Sequence, residues 1–298
     1  MSTTSVLRNA LKAGQQVIGP GIYDPLSAKA VVALGFSGVY LGGFASAAGA
    51  FGTLEPLMTM TEQVEVARRI THVVGDVPLI VDGHTGYGDA VHITRAVREF
   101  EAAGVAAIHI EDQLYPKRAS YHKGLKHMVS IDEMQARIQA ASDARSDSDF
   151  VIIARTEARD AVGGSLDEVI ERLQAYAEAG ADVLMPMPHG LEEARRVHEA
   201  IPGTPLHWFA GMGRFAEGDE IPIDTLNDLN YLIVTYPIIG IVRAIDAVHA
   251  LYSELKERGV VSVQDLDEGY ERIMRLIDAP RFYDIEAHTT EGDAAPTA

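Results

Sequence analysis

Eight short apolar runs constrain this chain more than any other feature. They occupy residues 17–22, 38–41, 78–81, 107–110, 150–154, 182–185, 205–209 and 231–235, and most are rich in Val, Ile and Leu. They do not alternate polar with apolar residues. A strand with one wet face alternates, whereas a parallel strand covered on both faces is continuously apolar. Between the runs lie segments with helical spacing that stop at a glycine: 28–34 before Gly35, 61–74 before Gly75, 90–103 before Gly104 and 166–179 before Gly180. Glycine just past the last turn takes a positive φ without a Cβ penalty. ALGFSGVYLGG, EAAGVAAIHIED and AEAGADVLMPM repeat one design of helix end, glycine, short link and strand. Eight such units predict an α/β chain folded as a (β/α)8 TIM barrel. An open doubly wound sheet is the alternative, but eight parallel strands close more readily than they stay open.

After the eighth run come two further helical stretches, roughly 238–258 and 263–277. A barrel needs only one helix there, so the surplus apolar face is expected to pack on another subunit, in a homodimer or homotetramer. No linker divides the chain, which predicts one domain over 1–285 that includes these C-terminal helices. The small polar stretch EAHTTEGDAAPTA, 286–298, is expected to be a disordered tail.

Composition narrows the function. Lys plus Arg is 25 against 43 for Asp plus Glu, a net charge of −18. That balance argues against sequence-independent binding to nucleic acid or to an anionic membrane, which need a basic surplus. An anionic small molecule needs only a local cluster of positive groups and stays open. Without cysteine the chain has no disulfide, thiolate metal site or thiol nucleophile. Residues 1–16 lack the apolar core of a signal peptide, and no apolar run reaches the roughly 20 residues of a membrane span. The expected setting is the cytoplasm.

In such a barrel chemistry collects at the C-terminal strand ends. The runs lead into Tyr23 and Asp24, Gly42 and Gly43, Asp82-Gly-His84-Thr85, Glu111 and Asp112, and Arg155-Thr-Glu157. Asp82 and Glu111, with Asp112 near them, read as hard oxygen ligands suited to Mg²⁺ or Mn²⁺. Helix capping is the bland alternative. Arg155 can bind a substrate carboxylate bidentately, the alternative being a structural salt bridge to Glu157 or to a strand-four acid. Residues 115–130 (YPKRASYHKGLKHMVS) form a long basic stretch in an acidic protein, read as a lid over the mouth rather than a solvated loop. Gly86-Tyr-Gly88 is weak as a phosphate turn, and His207 and Trp208 can simply fill the barrel.

VDGHTGYGD, IEDQLYPKR and VIIARTEA, in this order, with GIYDPLSA, GVYLGG and LIVTYP before RAIDAVHALYSELKERG, resemble the isocitrate lyase/phosphoenolpyruvate mutase superfamily over roughly residues 11–260. The resemblance implies a (β/α)8 barrel with a helix exchanged between subunits, Mg²⁺, and a small 2-oxo or 2-hydroxy carboxylate cleaved next to an enolate. By motif, Asp82 and Glu111 would be metal carboxylates, with Glu55 of GTLEPLMT and Asp112 around them. Tyr23, Gly42, Gly43, Asp82 and Arg155 would hold the substrate, and Lys117 would be the lid base.

Three departures matter. His84 stands where a second Asp is usual and would serve as a metal ligand, with a shift toward Mn²⁺. Ala119 stands where lyases of the family carry the lid Cys, so Tyr121 or His122, or else Ser120, would supply the acid. Met187 or Pro188 stands near a usual Glu. These changes leave a C–C lyase, by retro-aldol or decarboxylating cleavage, as the leading expectation. P–C chemistry on phosphonopyruvate and a non-catalytic carboxylate-binding protein are the alternatives.

Overall fold

The computed structural model describes residues 2–123, 126–161, 163–210, 221–262 and 266–290. The chain divides into two compact units, 1–242 and 243–298. In the first, the eight apolar runs are β1 (Val17–Ile22), β2 (Val39–Leu41), β3 (Leu79–Asp82), β4 (Ala107–Glu111), β5 (Val151–Arg155), β6 (Val183–Met185), β7 (Leu206–Phe209) and β8 (Tyr231–Tyr236). They pair in parallel in sequence order, and β8 returns to β1, closing the (β/α)8 barrel. The helices here are α1 (Thr3–Lys12), α2 (Pro25–Ala33), α3 (Gly43–Phe51), α4 (Met60–Thr71), α5 (Ala90–Ala102), α6 (Ile131–Ala144), α7 (Leu166–Glu178), α8 (Gly190–Ala200) and α9 (Ile223–Asp228). α10 (Ile239–Arg258) begins in this unit.

Local chemistry explains these limits. Asp24 accepts from the Ser27 N–H and Pro25 follows it, so Asp24 starts α2 as a capping residue. Gly35, Gly104 and Gly180 have φ of 81°, 81° and 99° just past α2, α5 and α7. Along each strand the side chains alternate between two apolar clusters. Leu41, Val81, Ile152, Leu184 and Val234 pack outward against the helices. Tyr40, Ile80, Ile153, Met185 and Ile233 fill the barrel, whose N-terminal end is closed by Leu7 and Leu11 of α1. This period of two carries Asp82, Glu111 and Arg155 inward at the other end.

The second unit holds the rest of α10, α11 (Leu266–Leu276) and α12 (Ala279–Thr289). It exposes Ile245, Leu251, Tyr252, Tyr270, Phe282 and Tyr283. α12 carries the chain four residues into the stretch expected to be a disordered tail. Pro280 in the first turn and the apolar residues Phe282, Tyr283 and Ile285 start this helix, and small polar residues simply extend it. Residues 291–298 lie outside the described residues. Among the described residues no helix is long and apolar enough to cross a membrane.

Candidate active site

Glu55, Asp82 and His84 each aim one donor atom at a common centre, all within 4.8 Å of one another, and all three residues are buried. Asp82 ends β3. His84 follows in the left-handed region at φ 53°, which turns its ring back over the strand end. Glu55 comes from a short 3-10 turn after α3. Nδ1 of His84 lies 3.3 Å from Glu55 Oε1, and its Nε2 is buried without a hydrogen-bond partner among the described residues. Asp82 is oriented by backbone amides: His84 N–H donates to Oδ1 at 2.8 Å and Gly43 N–H to Oδ2 at 3.2 Å. A Cβ at Gly43 would fall 2.7 Å from His84 Cε1 and 2.8 Å from Glu55 Oε1, so a larger residue there would displace both side chains. Two carboxylates, an imidazole with an orphaned nitrogen and a cradle that a Cβ at Gly43 would fill fit a divalent cation.

Charge sets the protonation of these groups. Burial opposes ionisation of Glu55, yet Lys117 and His84 outweigh it and hold its carboxyl well below the usual range. Burial likewise works against Asp82 and His84, but neighbouring imidazoles lower Asp82, and Asp82 and Glu55 raise His84. Glu111 sits outside the triad. Its Oε1 is 2.8 Å from the Lys117 ammonium and its Oε2 is 3.6 Å from Arg155 Nε. Burial wins there and raises its pKa over the pull of both cations.

Two cations of the basic stretch after β4, Lys117 and Lys126, are buried counter-ions, whereas Arg118 and Lys123 are exposed. Lys117 reaches Glu55 Oε1 at 2.6 Å as well as Glu111. Lys126 pairs with Glu157, and lies 3.2 Å from Asp160. An isolated bridge between Gln113 and Met128 draws the two ends of the stretch together. Arg155 is engaged by the partner the bland alternative named: its Nη2 donates to Glu157, and its guanidinium carbon lies 5.1 Å from the centre of the Phe209 ring.

Of the other expected site residues, Asp112 turns away from the triad. Asp112 is adjacent to Glu111 and therefore points to the opposite face, where it accepts from Tyr176 Oη at 2.7 Å and from the Glu157 N–H at 3.0 Å. It holds α7 and the start of the loop after β5, and burial raises its pKa to about 6. Tyr23 is half-buried with its Cβ 3.2 Å from where a Gly49 methyl would lie, so it packs on α3. The Gly43 amide is spent on Asp82, and Gly42 caps α3. The side chains of Tyr121 and His122 lie outside the described residues. Met187 is buried, with φ 52°, and shares the barrel-interior cluster.

Tyr40 and His109 were not singled out in the sequence, although both lie beneath the acids. The Tyr40 hydroxyl is 2.7 Å from His109 Nε2, and His109 Nδ1 is 3.6 Å from Asp82 Oδ1. Burial pushes the His109 imidazole down to about 4, against the pull of Asp82. The available signal was parity: His109 precedes Glu111 by two on β4 and so shares its inward face.

Residues 7–257 match the family model for phosphoenolpyruvate phosphomutase. The 2,3-dimethylmalate lyase of Eubacterium barkeri is 37% identical over 98% of this chain and 100% of its own length. A crystal structure of a 2,3-dimethylmalate lyase covers 100% of this chain and 99% of its own, with a TM-score of 0.88 at 28% identity. A phosphonopyruvate hydrolase solved with oxalate and Mg²⁺ covers 97% of this chain and 99% of its own, with a TM-score of 0.82 at 29% identity. With barrel, strand-end acids and similarity over nearly its full length all agreeing, the chain belongs to the PEP mutase/isocitrate lyase superfamily.

Proposed function

We propose that this protein is a lyase that uses Mg²⁺ or Mn²⁺ to break a carbon–carbon bond in a small 2-hydroxy or 2-oxo dicarboxylic acid, through an enolate. The observation that carries this reading is the convergence of Glu55, Asp82 and His84 on one buried centre at the barrel mouth, with Lys117 and Arg155 beside it. The lyase name of the Eubacterium relative supports the reaction class, and the hydrolase complex with oxalate and Mg²⁺ supports the metal and a carboxylate ligand.

A divalent ion held by Glu55, Asp82 and His84 supplies Lewis-acid stabilisation to negative charge on oxygen. The chain's own residues do the rest. Arg155, fixed by Glu157 on one edge, offers its remaining N–H groups to a substrate carboxylate. Lys117 adds positive charge beside Glu55 and Glu111, and its burial keeps bulk water from the acids. Gly43, by orienting Asp82, and Gly42, by placing α3, shape the floor of the mouth. Tyr121 and His122 are the proposed donors of the proton that returns to the enolate carbon. Asp112 acts at a distance, by holding the Glu157 backbone that positions the partner of Arg155.

The test is incubation with a panel of substituted malates, oxaloacetate and 2-methylisocitrate, with Mg²⁺ or Mn²⁺, followed by NMR. Release of a 2-oxo acid, or of CO₂ from oxaloacetate, is expected, and EDTA should stop it. Turnover that survives EDTA removes the metal from the reading. The two buried cations beside the acids also suit a phosphonate, so ³¹P NMR with phosphonopyruvate tests P–C cleavage as the second reading.

A second copy of the chain is the proposed cover for the exposed apolar residues of α10, α11 and α12, in a homodimer or homotetramer. Light scattering tests this directly. Cytoplasmic residence belongs to the same reading and is supported by the absence of cysteine.

A further inference from the structure

The barrel interior below the acids holds a pair of side chains that the proposed reaction does not use. Asp82 and His109 are register partners on β3 and β4, and His109 Nδ1, which has no hydrogen-bond partner among the described residues, faces Asp82 Oδ1 at 3.6 Å, an electrostatic contact just beyond hydrogen-bond distance. The other ring nitrogen is 2.7 Å from the Tyr40 hydroxyl. The two rings are nearly parallel, 9° apart, with centroids at 5.8 Å. His207 presses edge-on against both rings at 6.3 Å, and its own Nε2 is tied to Thr235 Oγ1 at 2.8 Å. Tyr40, His109, His207 and Thr235 are fully buried.

A neutral imidazole carries one N–H, and its place is set by the hydrogen bond the other nitrogen makes. Tyr40 has one hydroxyl proton and, among the described residues, one hydrogen-bond partner, His109 Nε2. The phenol therefore donates, Nε2 accepts, and the imidazole proton sits on Nδ1, the nitrogen that faces Asp82. The opposite tautomer would strand the phenol proton in an apolar interior and turn a lone pair toward a carboxylate. Two backbone N–H groups already hold Asp82 from above, those of Gly43 and His84. His109 approaches the same carboxylate from the neighbouring strand.

We propose that Tyr40 and His109 are a positioning pair: Tyr40 fixes the His109 tautomer, and the His109 Nδ1–H keeps Asp82 turned toward the centre it shares with Glu55 and His84. The consequence for metal binding rests on reading that triad as a metal centre. The tautomer does not.

The experiment separates the two. Protein labelled with ¹⁵N-histidine is examined by long-range ¹H–¹⁵N correlation, the His109 signals being identified by their loss in His109→Gln. The proton is expected on Nδ1, and a proton on Nε2 overturns the proposal. Mn²⁺ affinity is then measured by EPR titration. Tyr40→Phe is expected to bind Mn²⁺ about tenfold more weakly, the usual effect of removing an outer partner of a ligand. Equal affinity in Tyr40→Phe and the wild type overturns the positioning role. His109→Asn, which retains an amide N–H near the Nδ1 position, is expected to bind more tightly than His109→Leu, and the reverse order overturns it. If the wild type binds no Mn²⁺, the metal reading fails. The wild-type tautomer then decides the pair alone, upholding it with Nδ1–H and ending it with Nε2–H.

Discussion

The ammonium of Lys117 lies 2.6 Å from Glu55 Oε1, the same oxygen that His84 Nδ1 approaches at 3.3 Å. One carboxylate thus links the basic stretch after β4 to the group that fits a metal. Removing the cation leaves Glu55 and Glu111 buried beside each other without their shared partner. Lys117→Met is expected to cost about 3–5 kcal/mol of unfolding free energy at pH 7, the range for breaking a buried pair, and to abolish turnover. Urea denaturation beside a rate assay checks both.

Gly43 offers a cleaner probe of the triad. A methyl there would meet His84 Cε1 and Glu55 Oε1 inside contact distance. Gly43→Ala is expected to push the two ligands apart and weaken Mn²⁺ binding by about tenfold or more, with the barrel intact by circular dichroism. Unchanged affinity would place the metal elsewhere.

His84 stands at φ 53°, a conformation that Asp tolerates far better than most residues. His84→Asp is therefore expected to fold, to add a negative hard ligand, and to shift preference from Mn²⁺ toward Mg²⁺. Comparing activation constants for the two ions measures the shift.

Arg155 is held by Glu157 and Glu111 yet keeps N–H groups to give. Arg155→Gln is expected to lower kcat/KM by the equivalent of about 2–5 kcal/mol, the cost of stranding a buried charged partner. Most of the loss should appear in KM, as steady-state kinetics will show.

Acid stability should have two slopes of opposite sign. Glu157 is lowered from 4.5 to about 2, because Arg155 and Lys126 outweigh its burial. Its stabilising effect, about 3 kcal/mol, is complete above pH 4.5 and is lost as pH falls toward 2. Asp112 is raised by burial from 3.8 to about 6, so the folded state keeps a proton the unfolded chain has released. Stability from this group falls by about 3 kcal/mol as pH rises from 3.8 to 6. Urea titrations from pH 2 to 7 should show the rise and then the decline, and Asp112→Asn should remove the decline.

The barrel was legible because strands buried on both faces must be continuously apolar, and Gly35, Gly104 and Gly180 mark the helix ends between them. The strand-end acids were legible as a group but not in their pairings. Glu55 arrives from a turn after α3, far in sequence from Asp82, and only the closed fold brings it to the triad while Lys117 takes Glu111. The placement of Asp112 was within reach, since adjacent residues of a strand cannot share a face. Tyr40 and His109 were hidden because a buried polar residue within an apolar run looks like filler until its hydrogen-bond partner is known. The four helical residues 286–289 were missed because α12 starts upstream of that small polar stretch, at Ala279.

The plug formed by Leu7 and Leu11 separates two kinds of sensitivity. With that end stopped by hydrocarbon, solvent and solutes have one door to the acids. Trimming the stopper, as in Leu7→Ala, should shorten the life of the fold at high temperature while leaving the chemistry at the far rim unaltered in each molecule that survives.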